Sequence, residues 1–123
     1  MRFTTDRKDA VGLGSARSGT HHHWRMMISS ALLVVLVPLF VFTFGLALGR
    51  DHQGVLEYFA RPWPAILSAL TLVVVTLHCK AEAEEAIIDY VHGVTAKLAL
   101  VAVTGLARGL IAAGLFALVR LAL

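Results

Sequence analysis

The chain has 123 residues, of which 58% are hydrophobic and only 15% charged, and its net charge is +3. Soluble domains carry roughly 25% charged residues, and a surface this poor in charge would show water large apolar patches that lipid accepts without penalty. Composition therefore excludes an ordinary soluble enzyme and points to an all-α membrane protein with three transmembrane helices.

The charge sits unevenly, because Arg2, Arg7, Lys8, Arg17 and Arg25 all precede the first long apolar run. Basic flanks stay on the side where synthesis occurs, so the N-terminus is predicted to be cytoplasmic and, after three crossings, the C-terminus periplasmic. Residues 1–25 read as a cytoplasmic arm. Its glycines Gly12, Gly14 and Gly19 favour turns and flexibility. The polar start argues against a cleaved signal peptide. Nucleic acid is not expected as a partner: the basic arm is short, lacks interleaved aromatics and is already explained by topology. His21, His22 and His23 resemble a purification tag or metal tract, but their number and internal position argue against both. The single cysteine, Cys79, lies within an apolar segment, which leaves no disulfide framework and no zinc site.

Residues 26–123 form the membrane domain. No charged residue interrupts Met26 to Gly49, a stretch longer than the roughly 20 residues needed to cross the hydrocarbon core, so the first helix is predicted at about 26–49. Pro38 falls in its middle, removes a backbone donor and is expected to kink it. Residues 50–64 turn polar and end in Pro62, Trp63 and Pro64, forming the loop opposite the cytoplasm. Trp24, Tyr58 and Trp63 are placed where amphipathic rings favour the headgroup region. The second helix is predicted at about 64–91 and the third at about 97–120, with only Arg108 charged between Leu98 and Val119 and with Arg120 able to snorkel. Gly105, Gly109, Ala112 and Ala113 supply small surfaces for close helix contact.

The second helix carries the chemistry. An ionisable side chain inside a membrane helix costs about 2.5–3.5 kcal/mol on insertion scales, so each needs a partner, a cavity or a cofactor. His78, Glu82, Glu85 and Asp89 fall within about 60° of one another on a helical wheel and make one polar stripe, expected to face inward. Lys80 and Glu84 lie on the reverse face at i,i+4 spacing and can neutralise each other. The bland reading ends the membrane span at Cys79 and treats the polar segment after it as a solvated helical extension. Only a short apolar stretch separates Pro64 from Cys79, however, and the apolar pattern resumes at Ala86 to Val91.

His78 reads either as a histidine hydrogen-bonded to its neighbourhood or as an axial ligand of haem iron, since a helix can hold a neutral imidazole rigidly towards a facing helix. His92 lies about 21 Å further along the axis, so a second iron ligand has to come from another subunit. If the second and third helices form a hairpin turning near Gly93, Arg108 reaches a depth near His78 and Glu82. There it pairs either with Glu82 or with an anionic group such as a haem propionate. Tyr90 beside Asp89 reads either as an interfacial anchor or as a phenol donating to a quinone carbonyl, with the carboxylate orienting it or relaying protons. Read as an ion path, the same stripe and Arg108 would describe a small transporter or channel component. Read as a docking surface, the stripe would belong to a structural assembly protein.

The residues from Gly12 to Trp24, the three spans, and above all the spacing from His78 to the run Asp89, Tyr90, Val91, His92, Gly93 resemble the small hydrophobic membrane anchor subunit of bacterial succinate dehydrogenase, respiratory complex II. That resemblance covers most of the chain. It implies that His78 is an axial ligand of a haem b shared with a larger cytochrome b membrane subunit, that Tyr90 contacts ubiquinone, and that Asp89 supports the same site. It implies further partners: an iron-sulfur subunit docked on the cytoplasmic face and a flavoprotein subunit. FAD and the iron-sulfur clusters would belong to those partners, because this chain has no cysteine cluster and no dinucleotide fingerprint. The expected location is a bacterial inner membrane, and a fumarate reductase anchor is the nearest relative reading. Two departures from the family stand out. Lys80, Glu82, Glu84 and Glu85 occupy a stretch that is mostly apolar in relatives, and Met26 and Met27 replace a Gln-Arg pair.

Overall fold

A computed structural model describes residues 4–12 and 18–123 of the chain; Arg2, Gly14 and Arg17 of the basic arm lie outside the described residues. Five helices follow in order: α1 Asp6–Val11, α2 Ser18–Gly45, α3 His52–Phe59, α4 Pro62–Tyr90 and α5 Gly93–Ala122. Among them, α2, α4 and α5 are long and apolar enough to cross a membrane, as the composition requires.

The helix boundaries differ from expectation at both ends of the first span. Ser18 to Arg25, expected to lie in a flexible arm, are the first turns of α2, which then runs on through Pro38 to Gly45. Its end is sealed by side chains. The Ala47 N–H goes to the Phe44 carbonyl, and the Thr43 carbonyl accepts from the Tyr58 hydroxyl at 2.8 Å. Such carbonyls at a helix end otherwise have no intrahelical donor. Arg50 Nε donates to the Leu46 carbonyl at 2.8 Å, and Gly49 adopts φ +79, a left-handed conformation that glycine takes without steric cost.

Within the polar connection, Asp51 caps a short helix, α3, by accepting from the Gly54 N–H at 3.1 Å. The turn turns Tyr58 and Phe59 inward, where they join Ala47 in a small core against Val55 and Leu121. Tyr58 is therefore buried within the chain at 8% exposure, whereas Trp24 and Trp63 are exposed at 58% and 63%. The Arg50 guanidinium stacks over the Tyr58 ring at 4.9 Å, a contact that favours the cation over the ring's negative face.

Helix α4 starts at Pro62, where a missing N–H costs nothing because the first helical turn has no acceptor for it. It continues unbroken through Lys80 to Glu85 and stops at Tyr90. Val91 and His92 are extended, and Gly93 at φ +72 reverses the chain into α5. The resulting hairpin is closely packed: a Cβ on Gly114 would collide with the Leu72 side chain, so glycine there is what lets α5 approach α4.

The three long helices form a single row with α4 in the middle. It packs against α2 on one side and α5 on the other, while α2 and α5 make no close backbone approach to each other. Only 11%, 22% and 6% of the apolar windows of α2, α4 and α5 are buried, so even the central helix keeps most of its apolar surface for lipid or other subunits. The total accessible area of 9456 Å² compares with about 6,400 Å² expected for a soluble monomer of this mass, which again leaves a large surface to be covered from outside the chain.

Candidate functional site

Helices α2 and α4 run antiparallel in a register that brings two polar pairs together. Ser29 Oγ lies 2.9 Å from His78 Nδ1, and His22 Nε2 lies 2.9 Å from Glu85 Oε1. Because α2 begins at Ser18, the residues His22, Arg25, Met26 and Ser29 fall within about 100° of one another on one helical face. That face looks at α4 across a cavity of about 380 Å³, whose walls also include His78, Lys80 and Glu84.

His78 is the anchor of the site. Its side chain is only 17% exposed, and its Nε2 lies 3.6 Å from Glu82 Oε1. That distance allows electrostatic contact but is too long for a hydrogen bond. Glu82 itself is 55% exposed, whereas the Glu85 that faces His22 is 46% exposed. The expected stripe of His78, Glu82, Glu85 and Asp89 thus divides: its first three members face histidines or α2, while Asp89 is exposed at the end of the helix.

Lys80 Nζ and Glu84 Oε2 form the expected i,i+4 ion pair at 2.7 Å, but both line the same cavity as His78 rather than a separate reverse face. Thr104 of α5 donates to Glu84 Oε1 at 3.2 Å, so the carboxylate receives two partners and ties α4 to α5 at this level. A charge placed within a membrane helix is tolerable only with such compensation.

Arg108 is placed differently from either expected pairing. The contacts Glu84 to Thr104 and Gly114 to Leu72 set the α4–α5 register so that Arg108 is roughly level with His78, as expected. Its side chain nevertheless lies on an exposed face of α5 with Leu100, Val101, Thr104 and Gly105. Among the described residues no ion pair joins it to Glu82, which faces His78 instead. The cations on the wall of the His78 cavity are Arg25 and Lys80, the latter paired with Glu84. Tyr90, at 85% exposure, and Asp89 stand together at the end of α4, about 18 Å along the axis from His78 and on the same side of the row as the α2 N-terminus.

Sequence reasoning missed His22, Arg25 and Ser29. The signal was present in their i, i+3 and i+7 spacing, but it becomes legible only once the helix is known to start ahead of Arg25.

These features define a polytopic helical membrane protein with a polar, half-open cavity between its first two spans. The model of the succinate dehydrogenase/fumarate reductase transmembrane subunit family matches residues 1–119. The succinate dehydrogenase hydrophobic membrane anchor subunit of Paracoccus denitrificans is 42% identical over 123 residues, covering 100% of this chain and 95% of that protein. No solved structure matches. The chain belongs to the succinate dehydrogenase/fumarate reductase transmembrane subunit family. Within it, the likeness supports a membrane anchor subunit of succinate dehydrogenase, which sets aside the transporter and assembly-protein readings.

Proposed function

We propose that this chain anchors a succinate:quinone oxidoreductase in a bacterial inner membrane, N-terminus in the cytoplasm, and supplies part of a haem b site and part of a ubiquinone site. The observation that carries the reading is His78, a shielded imidazole on the wall of a cavity that is open on one side. The donor set fits a haem: one imidazole with a nitrogen free of hydrogen bonds, and the Arg25 guanidinium on the cavity wall, suited to a carboxylate substituent, while Lys80 and His22 on the same wall already face Glu84 and Glu85. His78 would hold the iron from this side, and a larger cytochrome b subunit would supply the second ligand and close the cavity. Bound there, haem b would supply a one-electron redox centre near the quinone.

Tyr90 and Asp89 make the second half of the proposal. An exposed phenol at the end of α4, next to an exposed carboxylate, is placed to donate a hydrogen bond to a quinone carbonyl presented by the neighbouring subunits, with Asp89 orienting it or passing a proton. FAD and iron-sulfur clusters are assigned to the flavoprotein and iron-sulfur partners, from which the electrons of succinate would arrive on the cytoplasmic side. Arg108, level with His78 but facing outward, is left to bind an anionic group contributed from outside this chain, a haem propionate or a partner carboxylate.

An absorption spectrum of the purified complex tests the haem assignment. Reduced b-type bands that disappear in His78→Ala support it, and a colourless wild-type complex overturns it. For Tyr90→Phe the expected result is impaired quinone reduction with succinate oxidation by an artificial acceptor intact. Unchanged quinone kinetics would remove Tyr90 from the site.

A further inference from the structure

The geometry points to Ser29 as a positioning residue that fixes the tautomer of His78 and so decides which ring nitrogen is free to bind a metal. Two contacts of one hydroxyl carry the argument. Ser29 Oγ lies 2.9 Å from the Met26 carbonyl oxygen and 2.9 Å from His78 Nδ1. A carbonyl can only accept, so the single hydroxyl proton goes to Met26. The proton in the second contact then has to come from the imidazole, with Nδ1–H donating to Oγ.

The other ring nitrogen has no competing hydrogen bond. Nε2 lies 3.6 Å from Glu82 Oε1, beyond hydrogen-bond range, and that carboxylate is more than half exposed. With the proton on Nδ1, the lone pair of His78 resides on Nε2. A metal-binding histidine commonly has its second N–H held by an acceptor, which fixes ring orientation and raises the basicity of the ligating nitrogen. Here the acceptor is a hydroxyl on a different span, so ligand orientation depends on the packing of α2 against α4.

This inference rests on the haem assignment of His78 for its functional meaning, but the tautomer itself does not. In the assembled complex, Ser29→Ala should weaken haem retention by about 10–100-fold and move the haem reduction potential upward, because a less basic imidazole stabilises ferric iron less. Ser29→Thr, which keeps the hydroxyl, should restore both properties, and Ser29→Val, which has the shape of threonine without the hydroxyl, should not. Haem that is lost in His78→Ala but keeps its potential and retention in Ser29→Ala and Ser29→Val would overturn the role of Ser29 while leaving the haem reading intact.

If the complex holds no haem, the ring-nitrogen NMR signals of the full-length chain in bilayers decide the matter. The His78 signals are assigned by their absence in His78→Gln. Protonated Nδ1 in the wild type, redistributed towards Nε2 in Ser29→Val, supports the inference. Protonation at Nε2 in the wild type, or no change in the variant, rejects it.

Discussion

The two ends of the helical row are built on different principles. At the end holding α3, apolar groups close on one another: Tyr58 and Phe59 pack with Ala47, the Tyr58 hydroxyl takes up a spare carbonyl, and Gly114 lets α5 settle onto Leu72. At the other end polar contacts link the helices, Ser29 to His78, His22 to Glu85 and Glu84 to Thr104, around a cavity that stays open. The first end has a core of its own, beside which an apolar cavity of about 330 Å³ lined by Phe44, Phe59 and Leu72 opens outward. The second has no such core, and on the proposed function it is where other subunits and a shared cofactor would close the cavity.

That contrast can be broken most severely at the packed end. Truncating Tyr58 to Ala removes a buried ring, its hydrogen bond and its stacking partner at once, and should destabilise the solubilised complex by about 3 kcal/mol, read as a lowered unfolding midpoint. An effect below about 1 kcal/mol would mean that the small core does not hold α3 in place.

At the polar end Lys80→Met should cost on the order of 2 kcal/mol, since it leaves the Glu84 carboxylate with only a threonine donor. Replacing Glu84 by Leu in the same protein should recover most of the loss. Additive losses in that double-mutant cycle would show that the pair does not act as a unit. Smaller again, Tyr58→Phe should cost about 1 kcal/mol, the net worth of one hydrogen bond, with the ring packing preserved; a loss as large as that of the Ala variant would place the ring's contribution in its hydroxyl. The smallest effect is expected for His22→Gln. Both members of the His22–Glu85 pair are close to half exposed, and exposed pairs contribute about 0–1 kcal/mol. A loss above 2 kcal/mol would show that the polar end is as tightly built as the other.

The three spans were legible because a membrane helix is written in composition: long charge-free runs need no knowledge of neighbours. The Lys80–Glu84 pair was legible for the same local reason, its i,i+4 spacing. What escaped depends on contacts distant in sequence. Ser18 to Arg25 read as arm because glycine and polar residues dominate them, yet His22 meets Glu85 of α4 and the helix extends to carry it. The burial of Tyr58 within the chain was not legible in its polar loop, because Asp51 caps a short helix that carries the ring inward. Arg108 was placed at the correct level but assigned inward-facing partners, because periodicity gives depth along a helix more readily than it says which neighbour occupies a given side.

The matched pairs between α2 and α4 have a mechanical consequence. Ser29 follows His22 by about two turns, as Glu85 follows His78 by about two turns, so the contacts act like two teeth of one rack engaged at the same time. Sliding either helix by a single turn, about 5.4 Å, disengages both together. The height of His78 along the helical row is therefore indexed to α2 in whole steps, and a load on the N-terminal arm would reach the imidazole as a rigid displacement of the rod that carries Ser29.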